Sequence, residues 1–221
     1  MTHHPPTLTT LDALLTRARR LADDPRRRIL GIAGAPGAGK STVAQAVVAA
    51  LGDRARLVAM DGFHLASAEL DRLGRAGRKG APDTFDADGY VALLRRLRDA
   101  HPAAGTVHAP EFRRAIEEPI AGAVAVDPEV ALVVTEGLYL LLDAGPFAPV
   151  RRLLDEAWYC VAADDERLAR LTARHMAYGR SPAEAAAWAR GSDARNAELV
   201  GPTRLRADVL VRLPRKEGLR R

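Results

Sequence analysis

Short apolar runs and longer segments with apolar residues at helical spacing take turns along this chain. The runs predict strands over residues 28–33, 56–60, 129–135, 157–162 and 207–213. The helical spacing predicts helices over residues 8–22, 41–51, 88–100, 164–178 and 182–190, with Asp86 or Asp88 capping the third and Gly179 separating the last two. Strands that alternate with helices predict an α/β fold, with a mostly parallel sheet and helices on both faces.

Two segments depart from this alternation. Residues 69–84 are polar and contain three glycines and a proline, which indicates a long loop. Loops of that length within compact domains are usually functional or mobile, and a surface loop without a role would have the same composition. Residues 107–112 and 120–126 read as the two strands of a short hairpin, which we expect to form a small flap.

The length of 221 residues predicts one domain over residues 1–221, with a helical lead-in over residues 1–25 and a basic tail at 214–221 that we expect to fray. The apolar fraction of 48% is ordinary for a globular protein. We find no apolar run of about 20 residues that could cross a bilayer and no signal-peptide pattern. The expectation is therefore a cytoplasmic protein without a membrane partner.

The net charge of +5 raises the question of nucleic-acid binding, but the basic residues are scattered and only 5% of residues are aromatic. We therefore expect no specific nucleic-acid partner. The single cysteine, Cys160, excludes an internal disulfide and is predicted to be a buried strand residue. Of the 33 basic residues only three are lysines, namely Lys40, Lys79 and Lys216.

One of these lysines belongs to a complete phosphate-binding motif that follows an apolar strand and opens a helix. A Gly-rich turn of this kind points several backbone N–H groups at phosphates, and the positive end of the next helix adds to the attraction. We predict that Lys40 reaches the β- and γ-phosphates of ATP and that the Ser41 hydroxyl is a ligand of Mg²⁺. The predicted nucleotide-binding segment, called the P-loop below, is Gly34-Ala35-Pro36-Gly37-Ala38-Gly39-Lys40-Ser41, with Thr42 next.

Two carboxylates follow apolar strands. Ligands of open α/β sheets lie at the carboxyl ends of the strands, so Asp61 and Glu136 are expected near the P-loop. Glu136 fits the acid that holds Mg²⁺, and Asp61 fits the general base that takes the proton of an acceptor hydroxyl. The alternative for Asp61 is a turn or helix cap. His64 either contacts the acceptor or is an ordinary loop histidine.

Arginines share one face of the predicted helix 164–178, because Arg167, Arg170 and Arg174 are spaced i, i+3, i+7. Arginines on a mobile lid stabilise the charge of a transferring phosphoryl group, and we predict this role for Arg174 and for Arg180 beyond the helix. A solvated helix face is the alternative. Lys79 and Phe85, in and just after the long loop, are predicted to contact the acceptor.

With these residues in place the chain resembles the phosphoribulokinase/uridine kinase/pantothenate kinase group of P-loop kinases. It looks most similar to bacterial "nucleoside/nucleotide kinase family" proteins, some of which are labelled as fructose-transport-system kinases. The resemblance covers residues 28–212. It rests on the P-loop together with Met60-Asp61-Gly62-Phe63-His64-Leu65, residues 78–86 (RKGAPDTFD), residues 136–141 (EGLYLL) and residues 192–197 (SDARNA).

The resemblance implies a P-loop NTPase fold with a lid helix, the acceptor-activating carboxylate at Asp61, a Mg²⁺-associated acid at Glu136 and lid arginines at Arg174 and Arg180. It also implies that residues 193–197 lie near the adenine. The flap departs from the family pattern, because Pro110-Glu111-Phe112 is followed by a basic residue where relatives often carry an acid. This reversal leaves the family's substrates in doubt for this chain.

The expected function is an ATP- and Mg²⁺-dependent transfer of the γ-phosphate to a hydroxyl of a small molecule such as a nucleoside, a sugar or a pantothenate-like alcohol. One alternative is a nucleoside monophosphate kinase, whose phosphorylated acceptor Arg113 and Arg114 could hold. Another is a nucleotide-dependent switch, which the lack of an N-K-x-D guanine signature disfavours. The sequence identifies neither the acceptor nor the oligomeric state, for which a homodimer stays open.

Overall fold

A parallel sheet of six strands forms the centre of the molecule in a computed structural model that describes residues 4–99 and 105–214. The strands are β1 (Thr7–Leu8), β2 (Arg28–Gly34), β3 (Ala55–Leu57), β6 (Leu132–Gly137), β7 (Glu156–Cys160) and β8 (Val209–Val211). Their order in the sheet is β1-β8-β7-β2-β6-β3, and every neighbouring pair runs parallel. The prediction of a mostly parallel sheet is confirmed.

Helices cover both faces of this sheet. They are α1 (Leu11–Ala22), α2 (Lys40–Leu51), α3 (Ser67–Arg72), α4 (Ala87–Asp99), α5 (Val150–Leu153), α6 (Asp164–Ala177), α7 (Pro182–Arg190) and α8 (Ser192–Val200). The alternation of side chains along β2 shows the two layers. Leu30 and Ile32 pack into a core with α1 and α2, whereas Ile29 and Ala33 pack into a second core with α4 and α5.

The two remaining strands, β4 (Val107–Arg113) and β5 (Glu118–Val126), form an antiparallel hairpin outside the main sheet. The predicted hairpin is thus present and longer than expected. The middle of β4 lies against the turn after β3, where a Cβ on Gly62 would lie 2.5 Å from the Pro110 carbonyl oxygen. The hairpin, called the flap below, therefore rests directly on the backbone beside Asp61.

Several predicted boundaries are wrong. Strand β3 ends at Leu57 rather than at residue 60, because residues 60–63 turn into a 3₁₀ helix. The predicted loop 69–84 contains the end of α3 and two short 3₁₀ turns. Helix α8 was not predicted, and helix α1 begins only at Leu11, where the Thr10 side chain caps it. The cap of α4 is Asp86, whose carboxylate accepts a hydrogen bond from the Gly89 amide at 2.9 Å.

Parts of three predictions lie outside the described residues: the start of the N-terminal lead-in, the end of the predicted helix 88–100, and nearly all of the basic tail. Within residues 4–99 and 105–214, no helix combines the length and the apolar character needed to span a bilayer.

Candidate active site

The P-loop joins the central strand β2 to helix α2. Directly before the first residue of α2, Gly39 has a φ of 95°. Residues with a Cβ rarely adopt this left-handed conformation. Gly37 also has a positive φ of 76°, and a Cβ there would lie 2.8 Å from the carbonyl oxygen of Arg167. The glycines thus permit a tight turn that fits beneath helix α6 and leaves the N-terminal N–H groups of α2 free to face an anion.

Lys40 is the first residue of α2 and is buried, with 9% of its surface exposed. Its ammonium group donates a hydrogen bond to the Ala35 carbonyl oxygen at 3.1 Å, across the P-loop. Burial lowers the pKa of Lys40, and the nearby Glu136 and Asp61 carboxylates oppose this shift. A bound anion would favour the charged amine, so the site is electrostatically suited to phosphate.

Ser41 and Glu136 meet beside Lys40. The Ser41 hydroxyl donates a hydrogen bond to Glu136 Oε1 at 2.8 Å, and Glu136 is buried near the end of β6. Burial raises the pKa of Glu136, and the Asp61 carboxylate raises it further. A buried carboxylate with raised pKa is suited to a cation, which would compensate its charge.

Asp61 lies in the 3₁₀ turn after β3, and not at the end of a strand as predicted. Its carboxylate accepts a hydrogen bond from Arg114 Nη2 at 3.0 Å, and both side chains are partly exposed to the cleft. Arg114 follows the last residue of β4, so the flap brings its cation to a carboxylate 53 positions earlier in the chain. The Asp61 carbonyl oxygen is 2.8 Å from the Nδ1 atom of His64.

Aromatic rings line the wall next to Asp61. The ring of His64 lies between those of Phe85 and Phe112, with centroid distances of 4.0 and 4.7 Å. Burial lowers the pKa of His64, which favours the neutral imidazole. Lys79 Nζ lies 5.4 Å from the centre of the Phe112 ring and donates a hydrogen bond to Ser67 Oγ at 3.0 Å.

The lid, formed by α6 and α7, provides the opposite wall with Arg174 and Arg180. The guanidinium carbon of Arg180 is 4.0 Å from the centre of the Trp188 ring, a cation–π contact. Arg167 and Arg170 have another position, because they donate hydrogen bonds to the P-loop carbonyl oxygens of Pro36 (2.8 Å) and Gly37 (3.3 Å). The three arginines of this helix face therefore separate into two groups: Arg167 and Arg170 contact the P-loop, and Arg174 lines the cleft.

Apart from Arg167 and Arg170, the charged and aromatic side chains described above surround one cleft of about 390 Å³. It brings together the predicted phosphate, metal, catalytic and acceptor residues: Pro36, Lys40, Ser41, Asp61, His64, Lys79, Phe85, Arg114, Glu136, Arg174 and Arg180. The roles assigned to these residues stay predictions. Thr42, the third residue of α2, lines neither this cleft nor the second cavity described below.

Sequence reasoning missed His175, Tyr178 and Trp188 of the lid, which also line the cleft. Asp193 and Asn196 of α8 line it too, and they belong to the segment that the resemblance placed near the adenine. His175 Nε2 lies 2.8 Å from Asp193 Oδ2, which joins the lid to α8. The SDARNA segment was a recognisable signal, but nothing in it indicates that Asp193 and Asn196 are the two residues that line the cleft.

A second cavity of about 490 Å³ opens on the other side of the P-loop. Ala35 lines it from the P-loop, Arg167 from the lid, and Ala194 and Ala197 from α8. Cys160 also lines it, and burial raises the pKa of its thiol to about 12, so the thiol is un-ionised at neutral pH. The P-loop thus separates a polar cleft from a second cavity to which α8 also contributes.

Comparisons with known proteins agree with this geometry. The Phosphoribulokinase / Uridine kinase family matches residues 29–217. A candidate uridine kinase of Schizosaccharomyces pombe, C227.14, is 32% identical over 183 residues, which cover 79% of this chain and 77% of the relative. The ATP-dependent kinase-like protein notR' of Aspergillus versicolor is 38% identical over 159 residues, which cover 69% of this chain and 92% of the relative.

A solved structure has the same architecture. The crystal structure of a candidate fructose transport system kinase from Silicibacter sp. TM1040 superimposes with a TM-score of 0.82 at 36% identity, and the match covers 92% of this chain and 99% of that one. The resemblance inferred from the motifs is therefore confirmed. The chain belongs to the phosphoribulokinase/uridine kinase family and is a small-molecule kinase.

Proposed function

We propose that this kinase transfers the γ-phosphate of ATP, bound with Mg²⁺, to a hydroxyl group of a small molecule. The observation that carries the proposal is the convergence of Lys40, the Ser41–Glu136 pair and Asp61 on one cleft. A phosphate cradle, a metal-binding pair and a carboxylate base are the parts that this reaction requires.

The donor half consists of the P-loop and its acid. Lys40 and the N–H groups at the start of α2 would hold the β- and γ-phosphates, while Ser41 and Glu136 would hold Mg²⁺. Magnesium usually takes only one or two protein ligands and completes its shell with phosphate oxygens and water. This fits the described residues, which contain no group of three or more histidine, cysteine or acidic side chains suited to a metal.

The acceptor half is organised around Asp61. Its carboxylate would take the proton of the acceptor hydroxyl as that oxygen forms a bond to the γ-phosphorus and the bond to the β-phosphate oxygen breaks, releasing ADP. Arg114, 3.0 Å from Asp61, would hold the carboxylate in position. The rings of Phe85 and Phe112 and the cation of Lys79 would bind the rest of the acceptor.

The lid would complete the site. Arg174 and Arg180 would neutralise the charge that spreads over the phosphoryl oxygens during transfer. Closure of α6 and α7 would also exclude water, which otherwise competes with the acceptor hydroxyl. The second cavity, next to Ala35 and α8, is our candidate for the adenine, in keeping with the position that the family resemblance implies for residues 193–197.

The experiment that tests the proposal has two parts, of which the first is a coupled ADP-release screen over nucleosides, sugars, vitamins and their monophosphates. Turnover with a hydroxyl acceptor supports the proposed reaction. ADP release that no acceptor stimulates would contradict it, since the cleft would then serve hydrolysis or a binding switch.

The second part is the Asp61→Asn variant, measured with the best acceptor. Asparagine keeps the shape of the side chain but cannot take a proton, so kcat should fall by roughly 10²–10⁴-fold. Binding of ATP, followed by calorimetry, should change little because Lys40 and the P-loop backbone are intact. If kcat stays within about threefold of the wild type, well below a base's contribution, Asp61 is a structural residue.

A nucleoside monophosphate kinase is the second candidate, and one observation favours it. Arg114 and Lys79 both line the acceptor side of the cleft, where they could hold a phosphate on the acceptor. Arg113, the other arginine of the flap, is exposed instead. In the screen, a preference for monophosphates over the matching nucleosides would establish this alternative.

A further inference from the structure

The carbonyl oxygen of Gly80 connects three parts of the molecule. It accepts a hydrogen bond from the Tyr139 hydroxyl at 2.5 Å and another from the Asn196 amide, Nδ2, at 3.2 Å. Gly80 belongs to the loop between α3 and α4, Tyr139 follows the strand that carries Glu136, and Asn196 belongs to α8. Donors from the segment after β6 and from α8 thus hold one carbonyl group of the acceptor-side loop.

Internal hydrogen bonds tie together the loop that contains Gly80. The Gly80 amide donates to Thr84 Oγ1 at 2.9 Å, and Arg75 Nη1 donates to the Asp83 carbonyl oxygen at 2.7 Å. This segment, residues 73–86, carries Lys79 and Phe85 into the cleft. A displacement of Gly80 therefore changes the position of both acceptor-side residues.

Asn196 is linked to the lid through its own helix. Asp193 and Asn196 are spaced i, i+3 on α8, share one face and are both buried, with 8% and 7% of their surfaces exposed. Asp193 Oδ2 lies 2.8 Å from Nε2 of His175. His175 follows Arg174, the lid arginine that lines the cleft. A continuous series of contacts therefore leads from the lid to the 73–86 loop.

We propose that Asn196 is a positioning residue that couples closure of the lid on the nucleotide to the placement of the 73–86 loop. The inference rests on the proposed function, since it requires the nucleotide to bind at the P-loop. When Arg174 moves onto the phosphates, His175 moves with it, Asp193 carries the motion to α8, and Asn196 transmits it to Gly80. Nucleotide binding then orders the acceptor side, and by reciprocity the acceptor strengthens nucleotide binding.

The test needs no knowledge of the acceptor. Amide hydrogen exchange over residues 73–86 is measured in the free protein and with Mg²⁺ and the non-hydrolysable analogue AMP-PNP. In the wild type the analogue should slow exchange in the loop about fivefold or more, the low end of typical coupling between sites. Calorimetry in the same samples measures binding of AMP-PNP.

Asn196→Ala should remove this response, so that loop exchange is the same in the free protein and at an AMP-PNP concentration that saturates the variant by calorimetry. Asp193→Ala should do the same from the lid end of the series. Leu199→Ala, on the exposed side of α8, is the matched control and should keep the wild-type response. If Asn196→Ala fails to fold, Asn196→Asp replaces it, because a carboxylate has nearly the same shape but cannot donate to Gly80.

The outcomes separate the two proposals. A wild-type loop that ignores AMP-PNP, or an Asn196→Ala protein whose loop still responds fully, overturns the coupling although the nucleotide binds. A merely structural role would speed loop exchange equally in the free and bound states and leave their ratio unchanged, which also overturns it. Absence of AMP-PNP binding to the wild type overturns the proposed function, and the coupling with it.

Discussion

The two halves of the cleft are built in different ways. The donor half comes mainly from one continuous segment, in which Gly37, Gly39, Lys40 and Ser41 all lie within residues 37–41 and backbone geometry sets their positions. The acceptor half is assembled from separate elements: Asp61 from a 3₁₀ turn, Lys79 and Phe85 from the 73–86 loop, and Phe112 and Arg114 from the flap. The donor half is a local structure and the acceptor half is a tertiary one.

This difference explains why the sequence predicts the phosphate donor but not the acceptor. A local motif specifies its ligand through spacing that can be read along the chain. A tertiary site specifies its ligand through distances between elements, such as the 3.0 Å contact of Arg114 with Asp61 across 53 positions. Perturbations confined to one half should therefore have distinct kinetic signatures. Two such substitutions and a third at the boundary between the halves follow, from the largest expected effect to the smallest.

Lys40→Ala should remove the donor half. The lysine makes a charged contact to phosphates that are stabilised most in the transition state, so turnover should fall by about 10³-fold, the upper range for loss of one such contact. The fold should survive because burial already lowers the pKa of this amine and its described hydrogen bond goes only to a P-loop carbonyl. Coupled ADP release measures the first effect and thermal unfolding the second.

The matched control is Arg20→Ala on the exposed face of α1, which removes a positive charge far from the cleft and should leave turnover unchanged. A Lys40→Ala protein with wild-type turnover would remove the P-loop from the mechanism. Unfolding of that variant would show that the lysine supports the core rather than an anion.

Gly62→Ala should damage the acceptor half alone. Its new Cβ would lie 2.5 Å from the Pro110 carbonyl oxygen, a backbone atom that cannot move without displacing the flap. Displacing a positioned group by about 1 Å can cost up to 10²-fold, so kcat/KM for the acceptor should fall by about 10- to 100-fold. The affinity for AMP-PNP, measured by calorimetry, should stay at the wild-type value.

Gly77→Ala is the control for this substitution, since Gly77 lies in the acceptor-side loop and a Cβ there would meet no atom within 4 Å. It should leave both kinetic constants unchanged. Equal losses of acceptor and nucleotide binding in Gly62→Ala would contradict the division into two halves.

Glu136→Gln probes the boundary between the halves through stability. Burial, and then Asp61, raises the pKa of Glu136 above its ordinary value of 4.5, while Lys40 and Ser41 oppose the shift more weakly. The folded state therefore holds this proton more tightly than the unfolded state. The contribution of Glu136 to the free energy of unfolding is fully present below its pKa in the unfolded state. It is lost as the pH rises through its pKa in the folded state.

Glutamine does not titrate, so it does not lose stability as the pH rises. The nucleotide-free variant should therefore be more stable than the wild type at pH values above the folded-state pKa of Glu136. We expect its Tm to exceed the wild-type Tm by about 2 °C or more at neutral pH, with the difference shrinking as the pH is lowered toward 5. Thermal unfolding across this pH range measures it. A variant that is less stable at neutral pH would mean that Glu136 is compensated in the free protein.

The sequence predicts local structure better than tertiary structure, as the two halves of the cleft also show. The central strand, the P-loop and helix α2 were predicted closely because their signals are local: an apolar run, glycines, and an uninterrupted helical segment. Helix α8 was missed because only Gly191 separates it from α7, which ends at Arg190. So short a break does not mark the start of a new helix in the sequence. The edge strand β1 was missed because two residues carry no periodicity.

The candidate site shows the same limit. Asp61 and Glu136 could be proposed because each follows an apolar run. Nothing in the spacing of Arg167, Arg170 and Arg174 indicates that the first two reach back to the P-loop carbonyls while the third lines the cleft. That division depends on how far α6 lies from the P-loop, a distance that only packing determines.

The scarcity of lysine has a practical consequence for chemical labelling. Two of the three lysines of the chain, Lys40 and Lys79, line the cleft, and the third, Lys216, lies outside the described residues. Acylating reagents react with neutral amines, and the lowered pKa of Lys40 increases that fraction. Side-chain acylation therefore reports largely on the cleft itself, and mass spectrometry of the two lysine-containing peptides becomes a footprint of donor and acceptor occupancy, one residue for each.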